Sequence, residues 1–505
     1  MTTADPTALP AGPVAAGAVA EAPRARKLSG RLGVGSIVFM VIAAAAPLTV
    51  VGGGFPVGAL LGDGIGAPTM YTVGGVILLF FAVGLSTMSR YVPKPGAFFT
   101  YVGYGLGRPL GLAAAWLAML TYTTVQIAVY GYVGAVIGGY VASLGGPTLP
   151  WWLYSLAMIA IVGLLGYRHI ELSGKVLGVF LVCEVGVVLV LAAVIVATGG
   201  AEGLSAAPFH PANVMSGSPA LALMFSLAGF IGFESTAIFR DEAKDPDKTI
   251  PRATYTALVI IAVFYTFASW ALVMGIGPSH LVAELAKDPS AFISTVTARY
   301  LGPVGGWIVN TLMITSMFAC VLSFHNVITR YQHSMSNASV LPAALGKVHG
   351  THRSPHLSSI VQSITAAVLT AAFALFHLDP VLQVFTWFSG ISTFAIVVLM
   401  GLTCLAVIAY FAAKRIRAGV WKTWVAPVVG FAGLAAVGVV IAENFPLLIG
   451  DADAAGNPVF GTLTLVFLGV MAAFPVFGLV QAAVLKARNP AAYSNVIDTI
   501  STIEQ

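Results

Sequence analysis

The chain has 505 residues, of which 24 are Lys or Arg and 19 are Asp or Glu, 9% together, against about 25% in soluble proteins. Hydrophobic residues make up 58% and the mean hydropathy is +0.92, which excludes a row of soluble domains, whose surface so few charges cannot clothe, and excludes a disordered chain. Three Cys are too few for a disulfide scaffold or a Cys-rich metal protein, and the net charge of +5 signals orientation in a membrane rather than nucleic acid.

A helix needs about 20 apolar residues to cross about 30 Å of hydrocarbon. Residues 1–27 are rich in Ala, Pro and Gly and read as a disordered cytoplasmic tail, not a signal peptide, because the basic cluster starts only at Arg24. Twelve apolar stretches follow, at 33–60, 68–89, 109–143, 151–167, 172–198, 218–239, 253–276, 303–329, 356–376, 380–411, 424–443 and 460–485. Backbone polar groups must be satisfied inside lipid, so these read as helices of an all-α integral membrane protein. Residues 486–505 read as a second cytoplasmic tail. Of the 24 Lys and Arg, 22 fall at the termini and in the loops on the same side, and only Lys287 and Arg299 on the other. This asymmetry predicts a multi-pass protein of the plasma (cell inner) membrane with both termini cytoplasmic.

Two stretches carry interruptions. The first contains Ala45-Ala46-Pro47-Leu48-Thr49 followed by Gly52-Gly53-Gly54, where Pro47 removes a backbone donor and clashes with the preceding turn. The sixth contains Ala228-Gly229-Phe230-Ile231-Gly232, whose glycines weaken a helix. Interruptions at corresponding places in two halves point to a binding site at the bilayer midplane. Freed N–H groups there suit a carboxylate and freed carbonyls an ammonium or cation. The alternative is that Pro47 and the glycines only kink packed helices.

The residues that follow resemble a known family. Gly232-Phe233-Glu234-Ser235 and Asp241-Glu242-Ala243-Lys244-Asp245-Pro246-Asp247-Lys248-Thr249-Ile250-Pro251-Arg252-Ala253 resemble the "GFES…EtKNPxKtIPrA" signature of the amino acid–polyamine–organocation (APC) superfamily of permeases. Pro95-Gly96-Ala97-Phe98-Phe99-Thr100-Tyr101, Asn326, Arg330-Tyr331, Leu341-Pro342 and Ser354-Pro355 are supporting matches. The resemblance spans about residues 28–485 and implies a leucine-transporter-like fold, with broken helices 1 and 6. It implies a ten-helix core at 28–411, an inverted repeat of about 33–198 and 218–411, and two additional helices at 412–485. It also implies secondary transport by alternating access. Many relatives carry a glycine run at the first break, where this chain has Pro47.

Charges within lipid cost about 2.5–3.5 kcal/mol at mid-span and suggest function. Glu184 lies about twelve residues, or about 18 Å, into the fifth span, near the midplane. Glu234 follows the sixth-span break. Both are candidates for proton coupling, against structural roles as a hydrogen-bonded Glu and a helix cap. Thr315 and Ser316 on the eighth span are a candidate cation site, against hydroxyls bonding their own helix. Ala46, Pro47, Leu48, Thr49, Ala228, Phe230, Ile231 and Gly232 are the candidate substrate-binding residues, with Phe230 as a gate. Gln126, Trp387 and Ser389 are candidates for the pocket wall. His349, His352 and His356 read as an exposed loop cluster.

No phosphate-binding loop and no nucleophile-elbow or zinc-protease motif occurs. Neither an ATP-driven pump nor an enzyme is expected, and no cofactor. The leading expectation is a transporter that imports an amino acid by proton symport. The alternatives are an amine or polyamine carrier or an exchanger, and, in another class, a channel, which would favour a continuous polar lining.

Overall fold

The structure, a computed structural model, describes residues 32–92, 98–168, 174–234, 236, 243–350, 352 and 354–503. The expected tail at 1–27 lies outside the described residues, as do Ser235 and residues 237–242 after the sixth stretch. Among the described residues the regular elements are all helices, beside two isolated backbone bridges.

The longer helices are α1 (Val34–Ala44), α2 (Pro47–Leu61), α3 (Ala67–Met88), α4 (Phe98–Leu106), α5 (Arg108–Ser143), α6 (Trp151–Tyr167), α7 (Gly174–Thr198) and α8 (Pro219–Ala228). They continue with α9 (Pro246–Ile276), α10 (Leu281–Lys287), α11 (Phe292–Asn337), α12 (His356–Leu375), α13 (Thr386–Lys414), α14 (Trp421–Glu443), α15 (Thr462–Arg488) and α16 (Pro490–Ile503). Among the described residues nine helices are long and apolar enough to cross a membrane, or ten with the bent pair α1 and α2. Two shorter apolar helices, α6 and α8, fall in two further apolar stretches.

Chain chemistry explains where these helices stop. Pro47 starts α2 where its missing N–H has no role to fill. Gly302 at φ 74 lets α11 turn before Pro303 begins its second part, so this helix starts well before the expected 303. The sixth-span helix α8 ends at Ala228, short of the expected 239.

Side chains that lipid would reject are bonded between helices. Gln126 on α5 donates to the Val321 carbonyl on α11 at 3.0 Å, and Gln362 on α12 donates to Gln126 at 2.7 Å. His325 on α11 pairs with Ser359 on α12 at 2.8 Å. Such polar pairs join membrane helices that have no hydrophobic drive to associate.

Two features hold the ends together. The Lys244 N–H donates to the Leu32 carbonyl at 3.0 Å, a single bridge between the start of the first span and the segment after the sixth. The expected tail at 486–505 contains α16, packed against α4, α5, α11 and α15. Val496 and Ile497 are its buried residues. The Ile497 side chain lies where Gly103 and Gly111 leave room, since a Cβ on either would stand 2.7 Å from it. Tyr104 donates to Asp498, and Arg108 lies 5.6 Å from the Tyr493 ring centroid.

Candidate functional site

The site is built where α1 stops. Ala46 sits at φ 46, a left-handed conformation that costs a non-glycine residue about 1–3 kcal/mol. Two residues later, at Leu48, the chain offers the first N–H group of a helix inside the bundle, since Pro47 contributes none. The Leu48 N–H donates to the Glu184 carboxylate, and the Val50 N–H to the Ala46 carbonyl at 3.3 Å.

Glu184 reaches this point from α7. Its neighbour Val182 faces lipid at 64% exposure, whereas Glu184 is 4% exposed. The Ser316 hydroxyl on α11 donates to Glu184 Oε2 at 2.8 Å, and the Thr49 hydroxyl donates to Ser316 at 3.0 Å. Thr49, Ser316 and Glu184 thus form one hydrogen-bonded chain across spans one, eight and five. Thr315 takes no part in it; its hydroxyl donates to the Leu312 carbonyl of its own helix.

A second carboxylate serves the other interruption. Gly232 at φ 113 allows the turn after α8. Its N–H donates to Glu234 Oε2 at 2.8 Å, and the Tyr122 hydroxyl on α5 donates to Glu234 Oε1 at 2.7 Å. The Tyr122 ring packs 6.1 Å from Phe324 and 5.7 Å from Tyr331. At Gly229 a Cβ would stand 2.7 Å from Val50, so only glycine lets the two interruptions approach this closely.

Between them lies a cavity of about 60 Å³, room for about two waters at their liquid volume. Ala45, Thr49 and Val50 border it from the first span, Phe225, Ala228 and Ile231 from the sixth, Val125 and Val129 from α5, and Phe385 and Ser389 from the tenth. Cys320 and Phe324 of α11 and the glycines Gly54 and Gly229 also border it, and among the described residues no charged side chain does.

Of the residues singled out in the sequence, Thr49, Ala228, Ile231 and Ser389 line this cavity. Ala46, Leu48 and Gly232 act through backbone behind it. Pro47 lines a separate apolar groove with α7 and α9 residues such as Leu181 and Phe264. Phe230 packs 6.0 Å from the Tyr265 ring and does not border the cavity. Gln126 is held by Val321 and Gln362, and Trp387 packs 5.7 Å from Phe467. Tyr122, Phe225 and Phe385 were not anticipated; an aromatic in an apolar span carries no signal separating cavity wall from packing.

The histidines have another use. His349, His352 and His356 pack around Tyr167, with ring centroids 5.5–6.1 Å from it. Among the described residues no group of three or more His, Cys, Asp or Glu is placed to hold a metal ion.

The amino acid permease family model matches residues 36–486, nearly the whole chain. The chain belongs to the amino acid permease family of the APC superfamily. It is a membrane transporter and not an enzyme. It is similar to the serine/threonine exchanger SteT of Bacillus subtilis (strain 168), 26% identical over 64% of this chain and 73% of that protein. It is similar also to the low-affinity putrescine importer PlaP of Escherichia coli (strain K12), at 24% over 64% and 71%. The branched-chain amino acid permease BcaP of Bacillus subtilis (strain 168) matches at 24% over 65% and 75%. Among solved structures, the manganese transporter of Eremococcus coleocola superposes with a TM-score of 0.60 over 89% of this chain and 94% of that one. At 13% identity that likeness concerns the fold.

Proposed function

We propose that the permease imports an amino acid together with a proton, by alternating access across the plasma membrane. In this reading twelve spans form a leucine-transporter-like five-plus-five inverted repeat with two added helices, and both termini are cytoplasmic. The observation that carries it is the chain from Thr49 through Ser316 to Glu184, which joins the cavity wall to a carboxylate buried among three spans. Ionised, Glu184 accepts from Ser316 and from the Leu48 N–H at the start of a half-helix, where the dipole favours negative charge. A proton removes that charge and weakens the tie between α2 and its neighbours. Glu234, held by Tyr122 and Gly232, is a second group able to take a proton at the other interruption.

The test is uptake into proteoliposomes under a pH gradient. Glu184→Gln is expected to lose accumulation against a concentration gradient while retaining counterflow exchange. Undiminished pH-driven accumulation in that variant would remove Glu184 from the mechanism. An amine carrier is the second reading, favoured because Pro47 has no N–H and Leu48 has given its own to Glu184. PlaP is a putrescine importer and SteT an exchanger, which keeps amine import and exchange beside symport. Ohmic current in place of saturable uptake would indicate a channel.

A further inference from the structure

A second and much larger cavity lies where the start of α6, the end of α12 and the turn leading into α13 meet. Its volume is about 840 Å³, within the range of sites for small organic ligands, about 300–1,000 Å³. It shares no lining residue with the central cavity. Trp151 and Trp152 border it from α6, Leu375 from α12, and His377, Asp379 and Gln383 from the turn.

The chain delivers one carboxylate to this wall. His377, at φ 53, follows the end of α12. Asp379 opens the next turn, and its Oδ1 accepts from the Val381 and Leu382 N–H groups at 2.9 and 2.6 Å. Its Oδ2 is left for an occupant of the cavity. Among the described residues no Lys or Arg pairs with Asp379, and none lines the cavity. A carboxylate without a counterion attracts a cation to the space beside it and repels an anion. The turn that carries it is backed by the bundle. The Asp379 N–H donates to Gln383 Oε1 at 2.7 Å, and a Cβ on Gly131 of α5 would stand 2.9 Å from the Pro380 carbonyl.

The rest of the wall suits the body of such a cation. Trp151 and Trp152 are half-buried, and an indole face attracts an organic cation, a quaternary ammonium above all. Asp379 is the only carboxylate on the wall, too few ligands for a bare divalent metal ion. A small ion would also leave most of the volume and both indoles without contact.

We infer that this cavity binds a bulky hydrophobic organic cation, of the quaternary ammonium class, at a site separate from the central cavity. The transport reading uses neither tryptophan nor Asp379, and binding is measured without transport, so the two can fail separately.

The experiment is calorimetric titration of the full-length permease in lipid nanodiscs, with empty nanodiscs as the blank. Three probes of similar shape are compared: benzyltrimethylammonium, the uncharged alcohol dimethylbenzylcarbinol and the anion phenylmethanesulfonate. The cation is expected to bind about tenfold more tightly than the alcohol, and the anion not to bind. Asp379→Asn keeps a side-chain cap on the turn and removes the charge. It is expected to weaken the cation about tenfold and to leave the alcohol unchanged. Trp152→Leu is expected to weaken the cation about fivefold. Val129→Phe, which fills the central cavity, is expected to leave cation binding as it is. Equal affinity for cation and alcohol overturns the inference, as does wild-type affinity for the cation in Asp379→Asn or in Trp152→Leu. Loss of the cation in Val129→Phe overturns it too, by placing the probe in the central cavity.

Discussion

Ser316 and Thr315 are adjacent hydroxyls with different partners, and this separates their expected effects. Ser316→Ala removes a hydrogen bond to a buried carboxylate, a contribution of about 1.5–3 kcal/mol. It is expected to lower proton-driven uptake by about tenfold or more. Thr315→Ala breaks only a bond to its own helix and is expected to leave uptake within about twofold. Equal losses in the two variants would show that the chain through Ser316 is not the route. Asp63, in the turn between α2 and α3, offers a test in stability. It is 2% exposed, and neither carboxylate oxygen has a hydrogen bond among the described residues. Burial raises its carboxyl from 3.8 to about 7, against a weaker pull from its own backbone. The folded chain therefore holds this proton more tightly than the unfolded one. The associated stability is complete below the ordinary carboxyl value and is lost as pH rises through about 7. Asp63→Asn is expected to flatten that fall, read as Tm of the purified protein between about pH 5 and about pH 8; parallel curves for the two proteins would exclude Asp63 as its source. The two deep glutamates were legible in the sequence because charge in lipid is conspicuous. Val125, Val129, Phe225 and Phe385 were not, because an apolar wall and an apolar core use the same residues.

At the scale of helices, the spans were legible because lipid forces long apolar stretches to satisfy their own backbone. Their ends were less so. The helix in the sixth stretch ends at Ala228, just before Gly229, and the eighth-span helix begins at Phe292, limits that hydropathy does not register. The terminal helix α16 was hidden more deeply. Its burial depends on two residues, Val496 and Ile497, meeting glycines nearly four hundred positions away, which no local pattern reveals. Truncating that contact with Ile497→Ala is expected to cost about 2–5 kcal/mol of docking. Hydrogen exchange in residues 490–503 should rise accordingly, and unchanged exchange would show that α16 is held elsewhere, as by Tyr104 and Asp498.

For the molecule as a whole, the twelve-span reading, which would put 22 of 24 basic residues on one side, makes a prediction about orientation. In a variant lacking Cys183, Cys320 and Cys404, an impermeant thiol reagent applied to intact cells is expected to label Ala454→Cys and not Ala418→Cys. The opposite pattern would invert the proposed topology and with it the assignment of import. The family was readable from the GFE and IPRA residues by resemblance, and the family match over residues 36–486 bears that out. The bridge from Lys244 to Leu32 has a different kind of consequence. Main chain alone makes it, so evolution is free to exchange either side chain without untying it, proline at 244 excepted. Because it ties the start of the first span to the segment after the sixth, a bond worth about 0.5–1.5 kcal/mol must break before the two part there.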